Sequence, residues 1–161
     1  MRAAAVAVVL AGVLALVVVL TSASAPPARS APPLPKELLA GREASLATLH
    51  GKPALIDFFA SWCGPCIAEA PTIARAQRAL GNRARLVTVD WSDSRRYALA
   101  FVHRYHWSMP VLADPDGTSG YAYGVQGLPS MFVLDAHGRI VKRLVGPQTI
   151  PGIVAAVDHA G

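Results

Sequence analysis

Apolar and polar positions change period several times along the chain, and each change predicts an element. Ala54 to Ala60 (ALIDFFA) is an almost continuous apolar run of strand length, the pattern of a strand buried on both faces. A helix is expected from about Cys63 to Leu80, stopped by Gly81-Asn82, with Pro71 placed to kink it. Arg85 to Asp90 alternates and is β-branched, which predicts a second strand. Asp93 to His106 brings Tyr97, Phe101 and Tyr105 round at i, i+4 and i+8, a helical stripe. Pro110 to Ala113 reads as a short strand closed by the turn Asp114-Pro115-Asp116-Gly117, with a short helix near Thr118 to Tyr123. Ser130 to Leu134 and Arg139 to Val145 are two strands joined through Asp135-Ala136-His137-Gly138, and Ile150 to His159 is a closing helix. Alternating strands and helices followed by a late hairpin predict an α/β protein: a central mixed β-sheet with helices on both faces.

The front of the chain obeys another pattern. After Met1-Arg2, Ala3 to Leu20 carries no polar side chain, and Ala23-Ser24-Ala25 offers a small-residue cleavage pattern. Residues 1–25 therefore read as a signal peptide or as an N-terminal membrane anchor. At 1.5 Å per residue the apolar run spans about 27 Å, enough to cross a hydrocarbon core. Both readings put the rest of the chain outside the cytoplasm. Residues 26–35 (PPARSAPPLP) hold five of the 13 prolines, so residues 26–40 read as an extended linker and residues 41–161 as one domain.

Composition narrows the function classes. Of 161 residues, 53% are hydrophobic, which excludes a disordered chain, and 16% are charged, which excludes a charged coiled coil. The net charge is +5, from 15 basic and 10 acidic residues, without a basic stripe interleaved with aromatics, so nucleic acid is not an expected partner. The only two cysteines form one C-x-x-C, Cys63 and Cys66. A disulfide framework needs more bridges over longer loops, so the pair points to redox chemistry or metal. His103 and His106 share a helix face, but a zinc site would need four ligands and a second pair is missing. No metal and no cofactor are expected. Trp91 and Trp107 are expected to serve packing.

The C-x-x-C sits where a buried strand turns into a helix. Unpaired N–H groups and the positive helix end would stabilise a thiolate on Cys63, lower its pKa and make it the attacking nucleophile. Cys66, one turn on, could resolve a mixed disulfide. Gly64-Pro65 suits the tight turn and the helix start. Asp57 interrupts the apolar strand six residues before Cys63. Buried there, it would hold a raised pKa and could take a proton from Cys66; otherwise it points outward or bonds to backbone. Glu69, three residues after Cys66, shares its helix face and by composition alone reads as a solvated surface position. Trp62 would flank the pair as an apolar platform for substrate, or simply pack.

Trp62-Cys63-Gly64-Pro65-Cys66 resembles the thioredoxin active site, and Cys66-Ile67-Ala68-Glu69-Ala70-Pro71 resembles the TlpA/ResA-like extracytoplasmic thiol-disulfide oxidoreductases. Gly127-Leu128-Pro129-Ser130 is similar to the family's cis-proline loop before a strand. The resemblance implies a thioredoxin-like fold, a Glu69 that tunes the cysteines, a cis Pro129 facing them, and substrate contacts from Leu128 and Pro129. It also implies cysteine-bearing client proteins, among them apocytochrome c, and a membrane thiol electron donor. Leu128 departs from the family's usual Thr or Val, which leaves the direction of reaction open. A reductase, a DsbE-like disulfide-forming oxidase, and a non-catalytic binding or chaperone module all remain readings of the sequence.

Overall fold

The computed structural model describes residues 29–161. The apolar run read as signal or anchor lies outside the described residues, as do Pro26 and Pro27 of the proline-rich stretch. Among the described residues, no helix is long and apolar enough to cross a membrane.

Seven strands form one sheet: β1 (Arg29–Ser30), β2 (Leu38–Ala40), β3 (Ala54–Phe59), β4 (Arg85–Trp91), β5 (Val111–Asp114), β6 (Ser130–Leu134) and β7 (Arg139–Val145). Their order is β1-β7-β6-β3-β4-β5-β2. β3, β4 and β5 run parallel, and β6, β7, β1 and β2 join antiparallel. The helices are α1 (Leu46–Leu49), α2 (Gly64–Leu80), α3 (Arg95–Arg104), α4 (Thr118–Tyr123) and α5 (Ile150–Asp158). The mixed sheet and the boundaries expected for β3 to β7 agree with the sequence pattern to within a residue or so.

Every residue of β3 is buried, because it lies at the centre of a sheet covered on both sides. Its alternate side chains face two cores. Leu55 and Phe59 meet Ile73 of α2, Phe101 and Trp107 around α3, and Ile153 of α5. Ile56 and Phe58 meet Leu49 of α1, Tyr123 of α4 and Leu34. Phe58 packs 5.2 Å from the Tyr123 ring and 5.7 Å from Phe132. Truncating so enclosed a ring costs about 3–5 kcal/mol.

The structure corrects the reading of residues 26–40 as a spacer: from Arg29 onward this segment is built into the fold. β1 pairs with β7, and β2 pairs with β5. The N–H of Ala31 donates to the Gly138 carbonyl, and the Tyr123 hydroxyl donates to the Pro32 carbonyl. Ala31, Leu34 and Leu39 are buried. Prolines suit such a position because an edge segment needs only part of its N–H groups. As the sequence pattern predicts, α2 runs through Pro71 to Leu80, and the Trp107 indole N–H donates to the carbonyl of Ala70, the residue before that proline, at 3.0 Å.

Candidate active site

Three loops meet at one end of the sheet. β3 and β4 are parallel, so the segments after Phe59 and Trp91 leave at the same end. β6 is antiparallel to β3 and pairs Ser130 with Phe58, so the Leu128-Pro129 loop enters there too. The Leu128–Pro129 peptide is cis, as the resemblance implied. Leu128 is partly buried against both cores, and the Ser130 hydroxyl pins the loop by donating to the Gly127 carbonyl at 2.7 Å.

Cys63 and Cys66 are joined by a disulfide. Cys63 is the N-cap of α2, and its sulfur accepts the N–H of Cys66 at 3.1 Å. A bared backbone donor thus points at the sulfur that would carry the charge after reduction. Both cysteines are at most 5% exposed, so Cys63 meets solvent through a narrow window. Pro65 occupies the first turn, where its missing N–H costs nothing. Gly64 corrects a detail of the sequence reading. It has no positive φ, and a Cβ there would meet nothing within 4 Å. Neither backbone nor space requires glycine; it leaves the surface beside Cys63 bare.

Beneath the disulfide lie two acids. Asp57 is 1% exposed, on the β3 face that carries Leu55 and Phe59, toward the core that includes both cysteines. One of its oxygens has no partner. Burial pushes its carboxyl well above the usual range, and the nearby Glu69 pushes it the same way. Glu69 is buried, not solvated. Burial raises it to about 7, opposed by the Gln148 N–H, which donates to its Oε1 at 2.6 Å. The structure therefore brings Asp57 near enough to Glu69 for each charge to count, in surroundings that disfavour two charges together.

Beside the disulfide, Trp62 is 59% exposed and its indole N–H donates to the Ser92 carbonyl at 3.1 Å. It borders an open groove with Ser92, Asp93, Tyr97 and Pro115. Tyr97, read from the sequence as part of an apolar stripe with Phe101, instead faces out beside Trp62, and Phe101 alone of the three is fully buried. Asp90, Asp93 and Gln148 carry no signal in the sequence pattern that marks them as neighbours of the site. Asp90 looked like a strand-end aspartate, and Gln148 reaches Glu69 only through the tertiary fold.

A family profile described as Redoxin matches residues 17–157. The chain belongs to the Redoxin family. Relatives of this chain are named for thiol–disulfide chemistry. It is 39% identical over 100 residues to the thiol:disulfide interchange protein DsbE of Allochromatium vinosum, covering 62% of this chain and 54% of that one. It is 30% identical over 110 residues to the thiol-disulfide oxidoreductase ResA of Bacillus subtilis, covering 68% and 62%. These matches span between half and two thirds of the relatives' own lengths. Among solved structures, a thioredoxin-family thiol:disulfide interchange protein from Chlorobium tepidum TLS superposes with a TM-score of 0.73 at 26% identity, over 85% of this chain and 99% of that one. The Redoxin domain here thus has the thioredoxin fold, and its Cys63–Cys66 pair fits the dithiol of an oxidoreductase.

Proposed function

We propose that this protein is an extracytoplasmic thiol–disulfide oxidoreductase that reduces disulfides in client proteins. The observation that carries the reading is the Cys63 sulfur at the N-terminus of α2, accepting the Cys66 N–H, above the buried Asp57–Glu69 pair. The Cys63 thiolate attacks one sulfur of a client disulfide; the other client sulfur leaves as a thiolate. Cys66 passes its proton to the Asp57–Glu69 pair and attacks the Cys63 sulfur, which releases the second client thiolate. The client gains two electrons, and Cys63–Cys66 becomes the disulfide. In this reading the client docks on Trp62, Gly64, Pro65, Leu128 and Pro129 and departs across them.

Apocytochrome c, whose paired cysteines must stay reduced, fits as a client, and a membrane thiol carrier fits as the electron donor. The relatives' names support thiol–disulfide exchange itself, and residues 3–20 would secure the location as a signal or an anchor. The reduction potential tests the direction. Equilibration with glutathione, read by Trp62 fluorescence, is expected to give a value near or below about −270 mV; a value above about −200 mV makes the protein an oxidase. Cys63→Ser tests the chemistry itself. It should lower dithiol-dependent reduction of a disulfide-bonded peptide by about a thousandfold or more, and undiminished client handling would leave only a binding module.

A further inference from the structure

A second pair of acids lies beside the redox loop and takes no part in the chemistry above. Asp90 is the penultimate residue of β4, is 1% exposed, and has one oxygen without a partner. Its carboxyl faces that of Asp93, close enough for one to donate to the other. Two ionised carboxylates hold no donor, so this bond exists only while one proton is shared. Asp93 in turn accepts the N–H of Ser61 at 2.7 Å through Oδ2 and the N–H of Ser94 at 2.6 Å through Oδ1. Ser61 leads directly into Trp62 and Cys63. The Trp62 indole is fixed to the same β4–α3 segment through the Ser92 carbonyl, and Ser92 itself holds a positive φ of 53°.

The charges around Asp90 leave it no partner but Asp93. Its sheet neighbours are Phe59 on β3 and Ala113 on β5. Asp114, at the end of β5, has its oxygens occupied by the N–H groups of Ser119 and Gly120. Arg95 pairs with Glu37, and Arg96 stacks over Tyr97. Among the described residues, no cation forms an ion pair with Asp90.

We propose that Asp90 is a positioning residue for thiol–disulfide exchange: as a neutral acid it donates to Asp93, which holds Ser61 and so sets the Trp62–Cys63 loop. Loss of the proton places the buried Asp90 carboxylate against the half-buried one of Asp93, drives Asp93 outward and frees the Ser61 N–H. Burial first, then Asp93 and Asp114, raise Asp90 to about 8, so the loop is held at neutral pH and loosens as pH rises through that value. The proposal deepens the oxidoreductase reading and rests on it for its effect on rate.

The decisive experiment compares the full chain with Asp90→Asn, whose amide still donates to Asp93 but cannot titrate there. In the oxidised wild type, the Ser61 amide and Trp62 indole resonances should shift with a midpoint near pH 8, and in Asp90→Asn that step should vanish. In a second measurement, reduction of a disulfide-bonded peptide by wild type and variant should agree at pH 6.5, and at pH 9 wild type should be about three- to tenfold slower. Asp90→Ala, which loses the donor, should be slowed at both pH values. Resonances that do not titrate near 8, or titrate equally in Asp90→Asn, overturn the proposal. A wild type inactive at every pH overturns the oxidoreductase reading instead, and leaves the resonance test standing.

Discussion

The two acid pairs on either side of the disulfide use the same buried chemistry for different ends. Asp57–Glu69 lies under the cysteines, in the core that contains both sulfurs, and its contact with the backbone is remote: Gln148, 79 positions from Glu69, supplies the N–H. Asp90–Asp93 lies to the side, and its contact with the backbone is the redox loop itself, through Ser61. In the proposed exchange a proton on the first pair moves to and from sulfur, whereas in the proposed positioning role a proton on the second holds a loop. What a buried carboxyl does is therefore set by what its free oxygen faces, since burial raises members of both pairs alike.

The largest expected effect sharpens this division. Asp57→Asn or Glu69→Gln alone should slow exchange at pH 7 by only about threefold, because each can cover for the other, and together by about a hundredfold. Asp90→Asn should leave the pH 7 rate almost unchanged. A double variant of the lower pair as fast as wild type would remove the proton-transfer role and erase the contrast.

Stability against pH probes all three raised acids at once. Each carries its proton in the folded state to a higher pH than in the unfolded chain. Between pH 4 and 8 the folded state therefore binds more protons, and stability falls as pH rises through the folded pKa values. Glu69 places part of this loss near 7 and Asp90 part near 8. The urea-unfolding free energy should drop by about 2–4 kcal/mol from pH 5 to pH 9. Asp57→Asn and Asp90→Asn should each flatten the curve and raise stability at pH 8. Asp135 acts the other way: its burial is outweighed by hydrogen bonds from Arg139 and His137, so its contribution is lost only as pH falls below about 4. A flat profile from 5 to 9 would mean that neither pair is buried as acid.

How much of this was readable from residues alone follows the range of each interaction. The C-x-x-C, the helix it caps and the strand before it are local, and period and spacing report local structure well. Asp57 stood out because it breaks an apolar run. Asp90 did not, because an aspartate after an alternating strand is ordinary turn chemistry; only the folding of α3 and β5 around it makes it a buried acid. The proline-rich stretch misled for a similar reason: its composition describes a free chain, and its burial comes from β5, β7 and Tyr123, all distant in sequence.

The smallest expected effect lies in two glycines that look alike in sequence and differ in what surrounds them. Gly64 stands over the disulfide with open space where a Cβ would go, whereas a Cβ on Gly120 would overlap the Trp91 indole. Trp91 also donates to the Gly117 carbonyl at 3.2 Å, so the ring cannot swing aside without losing that bond, and it immediately precedes the Ser92–Asp93 segment that holds the redox loop. Gly120→Ala should cost about 1–3 kcal/mol, as overpacking of a fixed ring does, and should shift Trp62 fluorescence with it. Gly64→Ala, on a helical first turn with room to spare, should change stability by less than about 0.5 kcal/mol. It should alter client reduction more than folding, since the new methyl lies on the bare surface beside Cys63. Equal destabilisation by the two substitutions would mean that the Trp91 shelf is soft, and that the side pair is held less firmly than the pair beneath.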